Sequence, residues 1–152
     1  GSANLQYFQL PSSVIAIRSS AFSSCSNMQY FDLYGYNNLE VIEQYAFSGA
    51  WRSDKTEELT IPASVRTLGV MSFSYQNNMG GAGRVTPFSQ VTIGYPGESS
   101  RLQEIGGANF HSAYEPNQNL TVYGAMSSLP SSVVDKIDQF IKPQFTGSIN
   151  YL

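Results

Sequence analysis

A phenylalanine recurs along this chain among the same small set of neighbours, and this repeat limits the possible folds more than any other feature. The register is set by Phe22, Phe47, Phe73 and Phe110. Five positions before each of them lies an aliphatic residue, and the four are Ile17, Ile42, Leu68 and Ile105. Three positions earlier lies another, and these are Val14, Leu39, Val65 and Leu102. Agreement at fixed offsets in four copies indicates an internal repeat.

A second pattern, apolar-x-x-apolar-x-apolar, precedes each phenylalanine block. The full copies read Leu5, Phe8, Leu10; Met28, Phe31, Leu33; and Phe88, Val91, Ile93. The third copy starts weakly at Thr56 and continues with Leu59 and Ile61, and a partial fifth copy, with no phenylalanine block behind it, reads Asn117, Leu120, Val122. The alternation that ends each block is typical of short strands. A unit of roughly 25 residues cannot bury its apolar face alone, so the copies are expected to stack at the spacing of β-strands. The four phenylalanines should then form one ladder inside the stack.

These units resemble the BspA-like, or Treponema pallidum-type, leucine-rich repeats of bacterial surface proteins. The family unit reads approximately L-x-x-L-x-L-P-x-x-L-x-x-I-G-x-x-A-F-x-x-C. The first copy, from Leu5 to Cys25, matches it nearly throughout, and the resemblance covers about residues 5–123. The copies depart from the family at the proline (Tyr34, Gly94) and at the alanine before the phenylalanine (Ser72, Asn109). Two insertions, at about 74–87 and 94–101, lengthen the later turns.

The repeats and the resemblance together predict a mainly β fold. We expect a right-handed leucine-rich-repeat solenoid of the β/α type, with about four turns over residues 1–125 and a C-terminal capping segment with one helix over 126–152. Ser131 or Ser132 could cap that helix, and Pro143 would end it. Its apolar positions are Val133, Val134, Ile137, Phe140 and Ile141. A helix lying on a membrane surface is the alternative, but its polar face lacks the necessary Lys and Arg.

The first repeat begins within four residues of the chain start, which predicts an uncapped N-terminal strand edge. Either a longer array continues there, or another chain pairs with the edge. Self-association at this end is therefore an expectation.

Composition excludes several classes of function. Charged residues make up 12% of the chain and the net charge is −3, and the eight Lys and Arg are scattered singly. No basic stripe could neutralise a phosphate backbone, so a nucleic-acid partner is not expected. No apolar run is long enough to span a membrane.

The sequence contains no recognisable catalytic or metal constellation. The single cysteine, Cys25, excludes an intramolecular disulfide and a cysteine-based zinc site, and we interpret it as a small buried apolar residue. The single histidine, His111, lies beside Ser112 and is interpreted as a loop or rim residue. The acidic residues Glu40 and Glu43 are expected on solvated faces. No catalytic residue, metal ligand or cofactor is predicted.

The strands do suggest a binding surface. Residues that flank the second apolar position should project outward and form columns across the stack. One column is Tyr7, Tyr30, Glu58, Gln90 and Asn119, the next is Gln9, Asp32, Thr60, Thr92 and Thr121, and Tyr34 and Tyr123 belong to a third. Tyrosine gives a large contact area at low entropic cost. Alternatively, Tyr and Thr are simply favourable strand residues. The predicted ligand-binding residues are Tyr7, Gln9, Tyr30, Asp32, Tyr34, Glu58 and Thr60, and Trp51 is either a binding anchor or a plug over its turn.

The resemblance implies a non-enzymatic bacterial protein, secreted or on the cell surface with its signal sequence removed. It would mediate protein–protein binding or adhesion through its exposed strand face, to partners on host or neighbouring cells. Two alternatives remain open: a carbohydrate-binding module with a glycan ligand, and a structural or assembly segment of a longer surface protein.

Overall fold

The structure, a computed structural model, describes residues 4–7, 9–28, 32–50, 58–74, 88–107, 109–110, 119–141 and 148–152. The positions of Tyr30, Trp51 and His111, on which three of the interpretations above fall, lie outside these ranges.

The described residues form eight strands in two parallel sheets. The first sheet has the order β1 (Ala16–Ile17), β2 (Val41–Ile42), β4 (Thr67–Leu68), β6 (Glu104–Ile105). The second has the order β3 (Glu58–Ile61), β5 (Gln90–Ile93), β7 (Asn119–Val122), β8 (Ile149–Tyr151). Every pairing is parallel, with one strand from each successive level. The predicted mainly β solenoid is confirmed.

Four stacked strands in each sheet correspond to about three turns of the solenoid within the described ranges. The sequence predicts about four. In the first two copies, Phe8 and residues 29–31 are outside the described part. Of the described residues 4–7, 9–10 and 32–33, none belongs to a strand.

The phenylalanine ladder is present as predicted. The ring centroids of Phe22 and Phe47 are 5.2 Å apart, those of Phe47 and Phe73 are 5.2 Å apart, and those of Phe73 and Phe110 are 5.9 Å apart. The rings are within 14° of parallel. Phe22 is half-buried at the end of the ladder, and the other three are buried. The ladder therefore packs the four copies into one core.

The turn that carries each phenylalanine also joins it to the next copy through the backbone. The N–H of Phe22 donates to the carbonyl of Ala46, that of Phe47 to Ser72, and that of Phe73 to Asn109. Two residues before the phenylalanine, the chain takes a left-handed conformation without glycine, at Ser20, Tyr45 and Met71. The turn thus directs each ring inward. The carbonyl of the residue before the phenylalanine accepts a hydrogen bond from the preceding copy.

Alternation within the four-residue strands separates a core face from an exposed face. In β3, Leu59 and Ile61 are buried, while Glu58 is exposed and Thr60 half-buried. This is the period-2 arrangement expected of strands with one face in the core. Cys25 is buried and free, as a small apolar residue would be.

The C-terminal segment contains the predicted helix. After a 3₁₀ turn at Met126–Ser128, helix α1 (Ser131–Lys136) continues as a π-helical segment at Ile137–Ile141. Val133, Ile137 and Ile141 are buried, so the helix covers the end of the core.

Two features of this segment differ from expectation. The N-cap of α1 is Pro130, with no side-chain cap, so the prediction of a serine cap is wrong. Both Ser131 and Ser132 already lie inside the helix, because the carbonyl of Pro130 accepts the N–H groups of Val133 and Val134. The segment also supplies β8, which pairs with β7 and was not predicted.

Candidate functional site

The exposed face of the second sheet carries aligned columns of polar side chains. The strand register places Glu58 beside Gln90 and Gln90 beside Asn119. A second column is formed in the same way by Thr60, Thr92 and Thr121. These are the columns expected from the repeat, and they run from the middle of the stack to its C-terminal end.

Polar side chains in the later part of these columns are engaged within the sheet. Gln90 Nε2 donates to Thr121 Oγ1 at 3.2 Å. Asn119 Oδ1 accepts both the N–H of Ser148, at 2.9 Å, and its hydroxyl, at 3.0 Å. These contacts join neighbouring strands, so this part of the face stabilises the stack and has fewer groups left for a ligand.

A groove lies at the N-terminal end of the stack, between the first and second copies. It has a volume of about 830 Å³. Its described lining residues are Gln9, Leu10, Pro11, Ser12, Asp32, Tyr34, Gly35 and Tyr36. The N–H of Leu10 donates to the Tyr36 hydroxyl at 3.0 Å, which ties the two copies together beside the groove. Residues of both copies therefore form the groove, and this hydrogen bond joins them at its edge.

Asp32 holds the chain at Tyr34. Its Oδ1 accepts the N–H of Tyr34 at 2.7 Å, which is the local aspartate-to-backbone bond of an Asx turn. Gly35 follows with a φ of +87°, a conformation that glycine adopts without strain. Because the turn fixes the backbone, the Tyr34 side chain stands out from the surface with 67% of its area exposed.

A third aromatic residue, Tyr95, joins this site from the fourth copy. Its ring meets that of Tyr34 edge-to-face, with centroids 5.1 Å apart and planes at 73°. Its hydroxyl accepts the N–H of Gly35 at 3.3 Å. Burial raises the pKa of Tyr95 above its ordinary value, the bond from Gly35 lowers it, and the nearby carboxylates Asp32 and Glu98 raise it further.

The loop 94–101 is what brings Tyr95 to this place. Tyr95 and Glu98 exchange two backbone hydrogen bonds, of 3.1 and 2.9 Å, around Pro96 and Gly97. Proline followed by a glycine with φ of +85° is the composition of a type II turn. From the sequence, this loop was predicted only as an insertion. Its Tyr-Pro-Gly-Glu composition was the available sign that it forms an ordered turn with an aromatic residue at its start.

A family model for the BspA type leucine rich repeat region matches residues 1–81, as six copies. That match covers more than half of the chain. The chain belongs to the BspA-type leucine-rich-repeat family. No curated protein matches it, and no solved structure does.

Membership of the BspA-type family gives a general expectation of function. Its proteins are often surface-associated and act in binding. Leucine-rich repeats of this kind are typically non-enzymatic binding scaffolds. The matched region includes both copies that form the groove and stops before Tyr95.

The structure brings some of the predicted ligand-binding residues together and separates others. Gln9, Asp32 and Tyr34 line the groove. Tyr7 is 64% exposed but is not among the lining residues. Glu58 and Thr60 lie on β3, on the exposed sheet face, and likewise do not line it. Tyr30 is outside the described residues.

Within the described ranges, no group of three or more His, Cys, Asp or Glu side chains is placed to hold a metal ion. In the same part of the chain, no helix has the length and apolar character needed to cross a bilayer.

Proposed function

We propose that this BspA-type repeat protein is a non-enzymatic binding protein, secreted or held on a bacterial surface, that recognises a protein partner through the N-terminal half of its exposed face. The observation that carries the proposal is the groove. It joins Gln9 of the first copy with Asp32 and the exposed Tyr34 of the second, and Tyr95 of the fourth copy supports the Tyr34 ring.

The geometry suits recognition without a conformational change. The groove volume lies within the range of roughly 300–1,000 Å³ that is usual for ligand sites. The Asx turn and the edge-to-face contact hold Tyr34 in place before any ligand arrives. Tyrosine loses little side-chain entropy on binding and offers both a ring and a hydroxyl, as in antibody paratopes. A protein partner would also contact the exposed Tyr7 beyond the groove.

The test is a binding screen of the full chain against immobilised host matrix proteins and a glycan panel, by surface plasmon resonance. A Tyr7→Ser/Tyr34→Ser variant should lose about tenfold or more in affinity for a bound protein, as expected when interface anchors are truncated. A Tyr45→Ser variant is the matched control. Tyr45 is 36% exposed but lies in the turn before Phe47, so its loss should leave affinity unchanged.

Other outcomes of the screen would replace the proposal. Saturable glycan binding that depends on Tyr34 would favour a carbohydrate-binding module. A protein ligand retained in full by the double variant would place its site elsewhere. No ligand at all, together with concentration-dependent association in light scattering, would favour the structural or assembly segment.

A further inference from the structure

We infer that the group bound in the groove is a basic side chain, arginine in preference to lysine, presented by an extended segment of the protein partner. The inference rests on the proposed function and names the chemistry of the partner at that site.

The charge of the groove favours a cation. Asp32 is the only charged residue among its described lining residues. A second carboxylate, Glu98, is close enough to act on the Tyr95 hydroxyl together with Asp32. Among the described lining residues there is no Lys or Arg to oppose them. A cationic ligand would therefore gain electrostatic attraction on entering, and an anionic one would be repelled.

Hydrogen bonding points the same way. Three backbone N–H groups at the groove, those of Leu10, Tyr34 and Gly35, are already donated to Tyr36, Asp32 and Tyr95. They are not available to bind an anion. Asp32 uses only Oδ1 in its Asx turn, and within the described residues Oδ2 makes no hydrogen bond. A carboxylate oxygen with free acceptor capacity is suited to a guanidinium or ammonium donor.

The tyrosine pair adds a surface on which a cation can lie. Tyr34 is 67% exposed while its ring is held at 73° to that of Tyr95. A cation within about 6 Å of an aromatic ring centroid is attracted by the negative face of the ring. Arginine is favoured over lysine because its planar guanidinium can stack on a ring and donate to a carboxylate at once.

The shape of the groove fits an extended segment better than an isolated ion. It is open and has a volume of about 830 Å³, which exceeds the space of one side chain. Residues of the partner segment on either side of the arginine would contact Leu10 and Pro11. The arginine would then supply the specificity, and its neighbours would supply further contact area.

The inference is tested with four short capped peptides, Gly-Ser-X-Ser-Gly, in which X is Arg, Lys, norleucine or Glu. Each is titrated into the ¹⁵N-labelled full chain, and the amide resonances of Tyr34 and Gly35 are followed. The Arg peptide should shift both saturably, with about tenfold tighter binding than the norleucine peptide, and added salt should weaken it. The Lys peptide should fall between them, and the Glu peptide should give no shift.

Asp32→Asn is the decisive variant, because the Asn side-chain oxygen can still accept the N–H of Tyr34 and keep the turn. It should abolish the preference for Arg over norleucine while the rest of the spectrum stays the same. Asp135→Asn, an exposed carboxylate on α1, is the matched control and should change nothing.

The inference is overturned if the Arg and norleucine peptides bind equally, if no peptide shifts Gly35 saturably, or if Asp32→Asn keeps the preference. These failures differ from failure of the proposed function. A protein partner lost by the Tyr7→Ser/Tyr34→Ser variant but retained by Asp32→Asn leaves the binding function in place and removes only the basic side chain.

Discussion

The first two copies of the repeat and the last two are joined differently at equivalent positions. Directly after the buried aliphatic residue of the first sheet, the first two copies carry Arg18 and Glu43, whose side chains form an ion pair with an N–O distance of 2.6 Å. The last two carry Gly69 and Gly106. A Cβ at Gly69 would lie 2.2 Å from the backbone N of Gln44, so only glycine allows this close approach of the copies.

The position before the phenylalanine differs in the same way. The first two copies have Ala21 and Ala46 there, as the family unit does. The last two have Ser72 and Asn109, both buried. Asn109 Oδ1 accepts the N–H of Ser72 at 3.1 Å and also its hydroxyl. The two departures from the family unit are thus one hydrogen-bonded pair that holds the third and fourth copies together.

Copies of one repeat can therefore differ in role, some stabilising the stack and others presenting side chains for binding. The later copies use their polar residues to hold the stack, at Ser72 with Asn109 and at Gln90 with Thr121. The earlier copies leave Tyr7 and Tyr34 largely exposed. Binding residues are therefore expected in the N-terminal half, where these tyrosine side chains remain largely exposed.

The largest expected effect concerns the aromatic ladder, which crosses both halves. Phe73→Ala should destabilise the chain by about 3–5 kcal/mol, because it leaves a cavity between two stacked rings. Phe22→Ala should cost less than about 3 kcal/mol, because Phe22 is half-buried and has one ring neighbour in the ladder. Urea denaturation followed by circular dichroism gives both values.

Equal losses for the two variants would contradict this prediction. They would mean that the end of the ladder is as tightly packed as its middle, and that the N-terminal half is no looser than the C-terminal half.

A smaller effect is expected at the buried pair of the later copies. Asn109→Ala should cost about 1–3 kcal/mol, because it leaves the N–H and the hydroxyl of Ser72 without their partner. Ser72→Ala in that background should cost less than Ser72→Ala alone. A double-mutant cycle by urea denaturation measures the coupling, and additive losses would show that the two residues act independently.

Much of the fold could be predicted because each copy of the repeat is one level of the stack. Residues at the same repeat position therefore lie next to one another in adjacent levels. The offsets of Phe22, Phe47, Phe73 and Phe110 predicted the ladder before any geometry was known. The same reasoning could have found the ion pair, since Arg18 and Glu43 are opposite charges at one repeat position in adjacent copies. The sequence predicted only a solvated face for Glu43; its side chain is hydrogen-bonded to that of Arg18, which is itself exposed.

The remaining features do not follow from the repeat. Tyr95 belongs to a loop present in one copy, and its path over Gly35 depends on the turn at Pro96 and Gly97, which has no counterpart to compare. Strand β8 has no phenylalanine block behind it, so no register predicted its pairing with β7. Two residues of the groove, Gln9 and Asp32, were predicted from the columns of the repeat. The contact by which Tyr95 supports Tyr34 was found only in the structure.

The smallest expected effect concerns the ion pair of the first two copies, and it depends on pH. The hydrogen bond from Arg18 holds the pKa of Glu43 below its ordinary value of 4.5, and a second bond from the N–H of Ser19 acts in the same direction. A carboxyl whose pKa is lowered in the folded state stabilises that state above the unfolded pKa. The contribution is lost as the pH falls through the lowered value.

Glu43→Gln should therefore lower the melting temperature slightly at neutral pH, and the difference from the parent chain should vanish at a pH below the native pKa of Glu43. Added salt should also reduce it, because Arg18 is 78% exposed and the pair is screened. Glu40→Gln is the matched control, an exposed carboxylate with no ion pair among the described residues. If Glu43→Gln and Glu40→Gln behave alike across this pH range, the ion pair adds nothing measurable to the ladder and the other hydrogen bonds that hold the first two copies together.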